Sequence, residues 1–118
     1  MDYYVYIIRC KDNSLYTGIT TDVERRYKEH KQGTGAKYTK SKGVLKIEII
    51  FKCNGRSEAS KIEYYIKKMT KDQKERELNE IKGFKTLILR DLGIIVEVKK
   101  IFEKNKKSYW HNLLVMII

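Results

Sequence analysis

The chain has 118 residues, with 42% hydrophobic and 35% charged, which suits one soluble globular domain with a modest core and excludes a disordered tail. Lys and Arg number 26 against 15 Asp and Glu, a formal charge of +11, so the field around the chain attracts polyanions, nucleic acid foremost, unless it serves solubility alone. No apolar run reaches the roughly 18–20 residues needed to cross a bilayer, and the start opens into a strand-like run, not a signal peptide; Cys10 and Cys53 lie far apart with no metal-like spacing, as in a reduced cytoplasmic protein.

Residues 3–9, YYVYIIR, are β-branched and aromatic and predict a first strand. Lys11-Asp12-Asn13-Ser14 supplies turn chemistry, and Leu15 to Ile19 reads as a second strand, so the pair forms a hairpin. Thr21-Asp22-Val23-Glu24 has the pattern of a capping box, which starts a helix running to Lys31 and ended by Gly33 and Gly35. Gly33 to Gly43, GTGAKYTKSKG, reads as a basic surface loop, and Val44 to Lys52 as a third strand. Ser57 would cap a second helix, in which Ala59, Ile62, Ile66 and Met69 mark the buried stripe. Thr70 and Gln73 suggest another capping box and a third helix over Lys71 to Ile81, closed by Gly83. The stretch after residue 83 has no clear pattern, and the apolar end, Leu113 to Ile118, is a candidate for covering the core or for self-association.

Several side chains carry chemistry by type and spacing. Arg26 and His30 are four apart on the first predicted helix and share a face. A guanidinium fork there matches two phosphate oxygens, or it pairs with Glu24 or Glu29. Glu63 borders the buried stripe of its helix, so its carboxylate needs a cation: Lys67, Arg56 or a divalent metal. Tyr6 and Tyr16 lie in neighbouring strands and could face one side, either as core or as phenols that a nearby cation helps to ionise. Gly18 suits a close backbone approach to the first helix, or a bulge. Lys37, Lys40 and Lys42, with Tyr38 among them, suit phosphate contact and base stacking. His30 could orient a phosphate, protonate a leaving group or satisfy a buried partner; His111 reads as structural or exposed.

The stretches YVYII, LYTGITTDVERR, EH and GAKYT, at residues 4–8, 15–26, 29–30 and 35–39, resemble the GIY-YIG nuclease superfamily, closest to its small stand-alone bacterial branch. The resemblance covers residues 2 to 82. It implies an α/β fold with a three-stranded, mainly antiparallel sheet flanked by helices in the order ββαβαα, over residues 1–83, followed by an extension, 84–118, whose structure it leaves open. It also implies a catalytic set of Tyr6, Tyr16, Arg26 and His30, with Glu63 holding Mg²⁺ or Mn²⁺, and DNA as the partner. One of the two tyrosines would deprotonate the attacking water, and the resemblance does not say which. Tyr4 and Thr17 depart from the residues that name the superfamily, and Ile19 stands where some relatives carry a Lys that aids tyrosine ionisation. The function implied is a metal-dependent endonuclease of DNA, in repair or recombination. The alternative is a nucleic-acid-binding module of the same fold that cuts little.

Overall fold

The computed structural model describes residues 1–80 and 82–100. Among these residues there are four strands and five helices: β1 (Tyr3–Cys10), β2 (Leu15–Thr20), α1 (Val23–Gln32), α2 (Lys37–Lys42), β3 (Val44–Cys53), α3 (Arg56–Lys67), α4 (Lys71–Leu78), α5 (Gly83–Leu92) and β4 (Glu97–Lys100). The sheet order is β2-β1-β3-β4, with every neighbouring pair antiparallel. β1 is therefore central and covered on both faces, which is why its sequence up to Ile8 is aromatic and apolar and not alternating, with Arg9 its one charged residue.

The two faces have separate cores. On one, Val5, Ile7, Ile49 and Phe51 pack against Ala59, Ile62 and Ile66 of α3 and Phe84 and Ile88 of α5. On the other, Tyr4, Tyr6, Ile8, Ile47 and Ile50 pack with Val23 and Tyr27 of α1. Arg9, near the end of β1, is 9% exposed and ties the helical layer to the sheet. Its guanidinium donates to Glu48 at 2.7 Å and, through both terminal nitrogens, to Glu75 of α4 at 2.5 and 2.6 Å. A charge so enclosed is tolerable only when paired in this way.

Four expectations need correction. The sheet has four strands, because residues 97–100 pair with β3, Phe51 opposite Val98. The order is ββααβαααβ, not ββαβαα. The supposed loop between Gly33 and Gly43 contains α2, a six-residue helix that buries only Thr39 and so lacks an apolar stripe to reveal it. Gly83 opens α5 and does not close α4, which ends at Leu78. A Cβ at position 83 would lie 2.8 Å from the Glu77 carbonyl, so glycine is there for the tight corner between the two helices.

Helix starts lie within two residues of where the sequence puts them. Asp22, not Thr21, caps α1, accepting from the Arg25 N–H at 3.1 Å. Gly55, not Ser57, precedes α3, with φ of 96°. The capping box of α4 is formed by Thr70 and Gln73. No helix among the described residues is long and apolar enough to cross a membrane. The apolar end, Leu113 to Ile118, and His111 lie outside the described residues.

Candidate active site

The hydroxyl of Tyr6 is the centre of the site. Tyr6 stands opposite Gly18 in the β1–β2 pairing. A Cβ at position 18 would come within 2.7 Å of Tyr6 Cζ and nearer still to the hydroxyl, so the ring lies across the glycine. Gly18 thus makes room for a neighbouring side chain, not for the approach of α1. The aromatic rings gather around it. The Tyr6 and Tyr16 centroids are 6.4 Å apart, Tyr6 and His30 5.7 Å, and Tyr16 and His30 5.3 Å.

His30 is 1% exposed and held at both nitrogens. Nε2 is 2.8 Å from the Tyr6 hydroxyl, and Nδ1 is 2.6 Å from the Thr39 hydroxyl. Thr39 Oγ1 in turn donates to the Ala36 carbonyl at 3.0 Å. A hydroxyl has one proton. With that proton given to Ala36, the Thr39 oxygen can only accept, so Nδ1 carries the imidazole proton. Burial, reinforced by Arg26 and opposed by Glu29, pushes the His30 pKa down to about 4, so the ring is neutral at pH 7. Its Nε2 is then a bare acceptor, and Tyr6 O–H donates to it. Gly35 permits this seating: a Cβ there would lie 2.6 Å from Nδ1.

Burial pushes the Tyr6 hydroxyl up to about 12, against the opposing pull of the Arg26 guanidinium beside its oxygen. Arg26 is half-buried and donates to Glu29 at 2.9 Å, a pairing that keeps it protonated. Glu63, on α3, is half-buried and forms an ion pair with exposed Lys67 at 3.4 Å. Its charge is felt at Tyr6, where it opposes ionisation. The structure thus brings Tyr6, Tyr16, Arg26 and His30 together, with Glu63 in electrostatic range. His30 is buried, and both of its nitrogens are hydrogen-bonded within the protein.

The basic segment divides. Tyr38, 40% exposed, stacks on Tyr16 with centroids 6.0 Å apart and planes at 24°, which continues the aromatic cluster to the surface. Lys37 and Lys40 are exposed on α2, whereas Lys42 pairs with Asp12 at 3.4 Å. Thr39 and Gly35 escaped the sequence reading. They lie in the GAKYT stretch, but a threonine nine residues from its histidine follows no periodic rule.

No cluster of three or more His, Cys, Asp or Glu side chains that could hold a metal exists among the described residues. A single partly exposed carboxylate still fits Mg²⁺, which takes one or two protein carboxylates and keeps waters. Glu63 is such a group, and Lys67, its exposed partner, is free to swing away.

Residues 2–77 match the GIY-YIG catalytic domain, so the chain belongs to that family, a family of nucleases whose substrate is nucleic acid and which generally depends on a divalent metal. Within it, the chain is similar to a UPF0213 protein of Citrobacter koseri, 51% identical over 86 residues that span 73% of this chain and 86% of the relative. It is also similar to UPF0213 protein FN1575 of Fusobacterium nucleatum, 43% identical over 104 residues, 86% of this chain and 100% of the relative. The solution NMR structure of UPF0213 protein BH0048 from Bacillus halodurans is 44% identical, with a TM-score of 0.46 over 70% of this chain and 87% of the other.

Proposed function

We propose that the chain is a metal-dependent endonuclease that hydrolyses DNA phosphodiester bonds, of the kind that repair or recombination requires. The observation that carries this reading is the gathering of Tyr16, His30 and Arg26 around the Tyr6 hydroxyl, with the Glu63 carboxylate in range.

The side chains divide the work by exposure. Tyr16 is half-buried, so of the two phenols it is the one a water from solvent reaches; Tyr6 is 2% exposed. Tyr6 donates its O–H hydrogen bond to His30 and turns its lone pairs towards Arg26, which makes it and His30 positioning residues for the guanidinium. Arg26 clamps two phosphate oxygens and offsets the charge that grows on them. In hydrolysis the water oxygen bonds to phosphorus and the P–O bond to the leaving strand breaks. The water proton passes to the Tyr16 oxygen, whose own phenolic proton has first been lost to solvent, and solvent protonates the leaving oxygen. Glu63 would hold the divalent ion, which when bound supplies positive charge for the phosphate and the leaving oxygen. Lys37, Tyr38 and Lys40 would hold the flanking nucleotides, with Lys42 contributing once released from Asp12.

The test is cleavage of plasmid, single-stranded, duplex, flap and junction DNA with Mg²⁺ or Mn²⁺. Arg26→Ala and Glu63→Ala should each lower the rate by about 100-fold or more, with the circular dichroism spectrum unchanged. Tyr16→Phe should do the same. Undiminished cleavage by both Ala variants rejects the assignment. One observation favours the second reading, a binding module that cuts little: the Glu63 carboxylate is already paired with Lys67. Wild-type protein that binds DNA yet cuts nothing in that panel would establish it.

A further inference from the structure

A shallow groove of about 460 Å³ runs across the outer edge of the sheet, next to the site but separate from α2. Its walls include Tyr3 and Thr21, and three guanidiniums enter it: Arg25 and Arg26 from α1 and Arg56 from the first position of α3. The single carboxylate there, Glu29, is already bonded to Arg26. Arg25 and Arg56 are exposed, and no ion pair holds either of them among the described residues.

The charge balance sets this groove apart. Three guanidiniums against one carboxylate leave +2. The groove between α3, α4 and α5 has Lys68, Arg76 and Arg90 against Glu77 and Asp91, or +1. The groove at the end of β3 has Lys52 and Lys85 against Asp2, Glu58 and Glu97, or −1. The outer surface of α1 has Arg25 and Lys28 against Asp22, Glu24 and Glu29, also −1. Of these four grooves, the most cationic is thus the one that Arg26 itself lines.

Position along β2 gives the groove a direction. Tyr16, under the basic helix α2, is four residues from Thr20, which lines the groove. At about 3.3 Å per residue this is roughly 13 Å. Gly18 and the Tyr6 hydroxyl lie between. A nucleic-acid strand engaging the centre therefore meets α2 on one side and the arginines on the other.

We propose that Arg25 and Arg56 form a second phosphate-binding subsite, which grips the nucleic-acid backbone on the side of the reaction centre opposite α2. This rests on the nuclease reading for its context, but it concerns binding and is measured without cleavage. A guanidinium suits the task because its fork engages two phosphate oxygens and is weakly hydrated.

The experiment is fluorescence anisotropy of the full chain with a labelled duplex oligonucleotide, in EDTA, over a NaCl series. Replacing both arginines (Arg25→Gln with Arg56→Gln) should reduce the magnitude of the salt slope by about 1.8, since each lost phosphate contact is worth about 0.9 on duplex DNA. Between 50 and 200 mM salt the wild type should then lose about tenfold more affinity than the double variant. The charge-matched control is Arg76→Gln with Lys85→Gln, on α4 and α5, which should leave the slope within about 0.5 of wild type. Equal slopes for the two doubles, or no change in the first, overturn the subsite. The nuclease reading is scored separately with Mg²⁺. Groove arginines that set the slope of a chain that cuts nothing would retain the subsite and retire the enzyme. A chain that cuts DNA while its slope ignores them would do the reverse.

Discussion

Acid should destabilise this protein through His30 before its carboxylates are involved. The imidazole is enclosed between Tyr6 and Thr39, and burial places its pKa at about 4 against 6.5 in an exposed chain. A depressed folded-state pKa means that the unfolded chain binds more protons between these two values. The stability associated with the neutral ring is therefore complete above pH 6.5 and is lost as the pH falls to about 4. A difference of 2.5 units at about 1.36 kcal/mol each gives about 3 kcal/mol, a large fraction of the 5–15 kcal/mol typical of a domain. The measurement is urea unfolding followed by circular dichroism at half-unit steps from pH 7.5 to 4. His111→Gln in the background removes the other histidine. Carboxylates with depressed values titrate below about 4.5 in the unfolded chain, so the interval from 6.5 to 4.5 isolates His30. Stability that is flat across that interval would refute the buried neutral imidazole and, with it, the tautomer argument.

Three further outcomes are expected. Gly18→Ala should lower stability by about 2–4 kcal/mol in urea unfolding and reduce cleavage, because the new methyl displaces the Tyr6 ring and leaves His30 Nε2 without its donor; a variant as stable as wild type would place the ring elsewhere. Thr39→Val should move the His30 proton from Nδ1 to Nε2, read from the ¹⁵N shifts of the ring, and Thr39→Ser should restore it. Nε2 protonation already in the wild type contradicts this. Phe84→Ala should cost about 3–5 kcal/mol in thermal or urea unfolding, since the ring is 1% exposed and meets Phe51 edge-on; a cost below about 1 kcal/mol would detach α5 from the core.

The hairpin, α1, β3, α3 and the capping box at Thr70 were legible because each has a local signal: β-branched runs, a cap, an apolar stripe. β4 was not, since its Glu-Val-Lys-Lys segment is a charged edge strand whose place depends on pairing with β3. α2 was hidden by its shortness and its single buried residue. Gly83 misled because glycine ends helices more often than it turns a crowded corner into one. At the candidate site, the residue types came from motif spacing, whereas the bonds among them did not. That Arg26 meets Glu29 was an open alternative. That His30 is sealed between a tyrosine and a threonine from α2 depends on the packing of three elements, which no local pattern encodes.

Two glycines, at positions 18 and 35, are filled in space by the rings of Tyr6 and His30. In a saturation library sorted for folded protein alone, both positions should be depleted of every other residue as sharply as the enclosed isoleucines. Lineages of this chain would then keep the two glycines for as long as they keep the rings, so retention of glycine at 18 and 35 reports on folding and says nothing about activity.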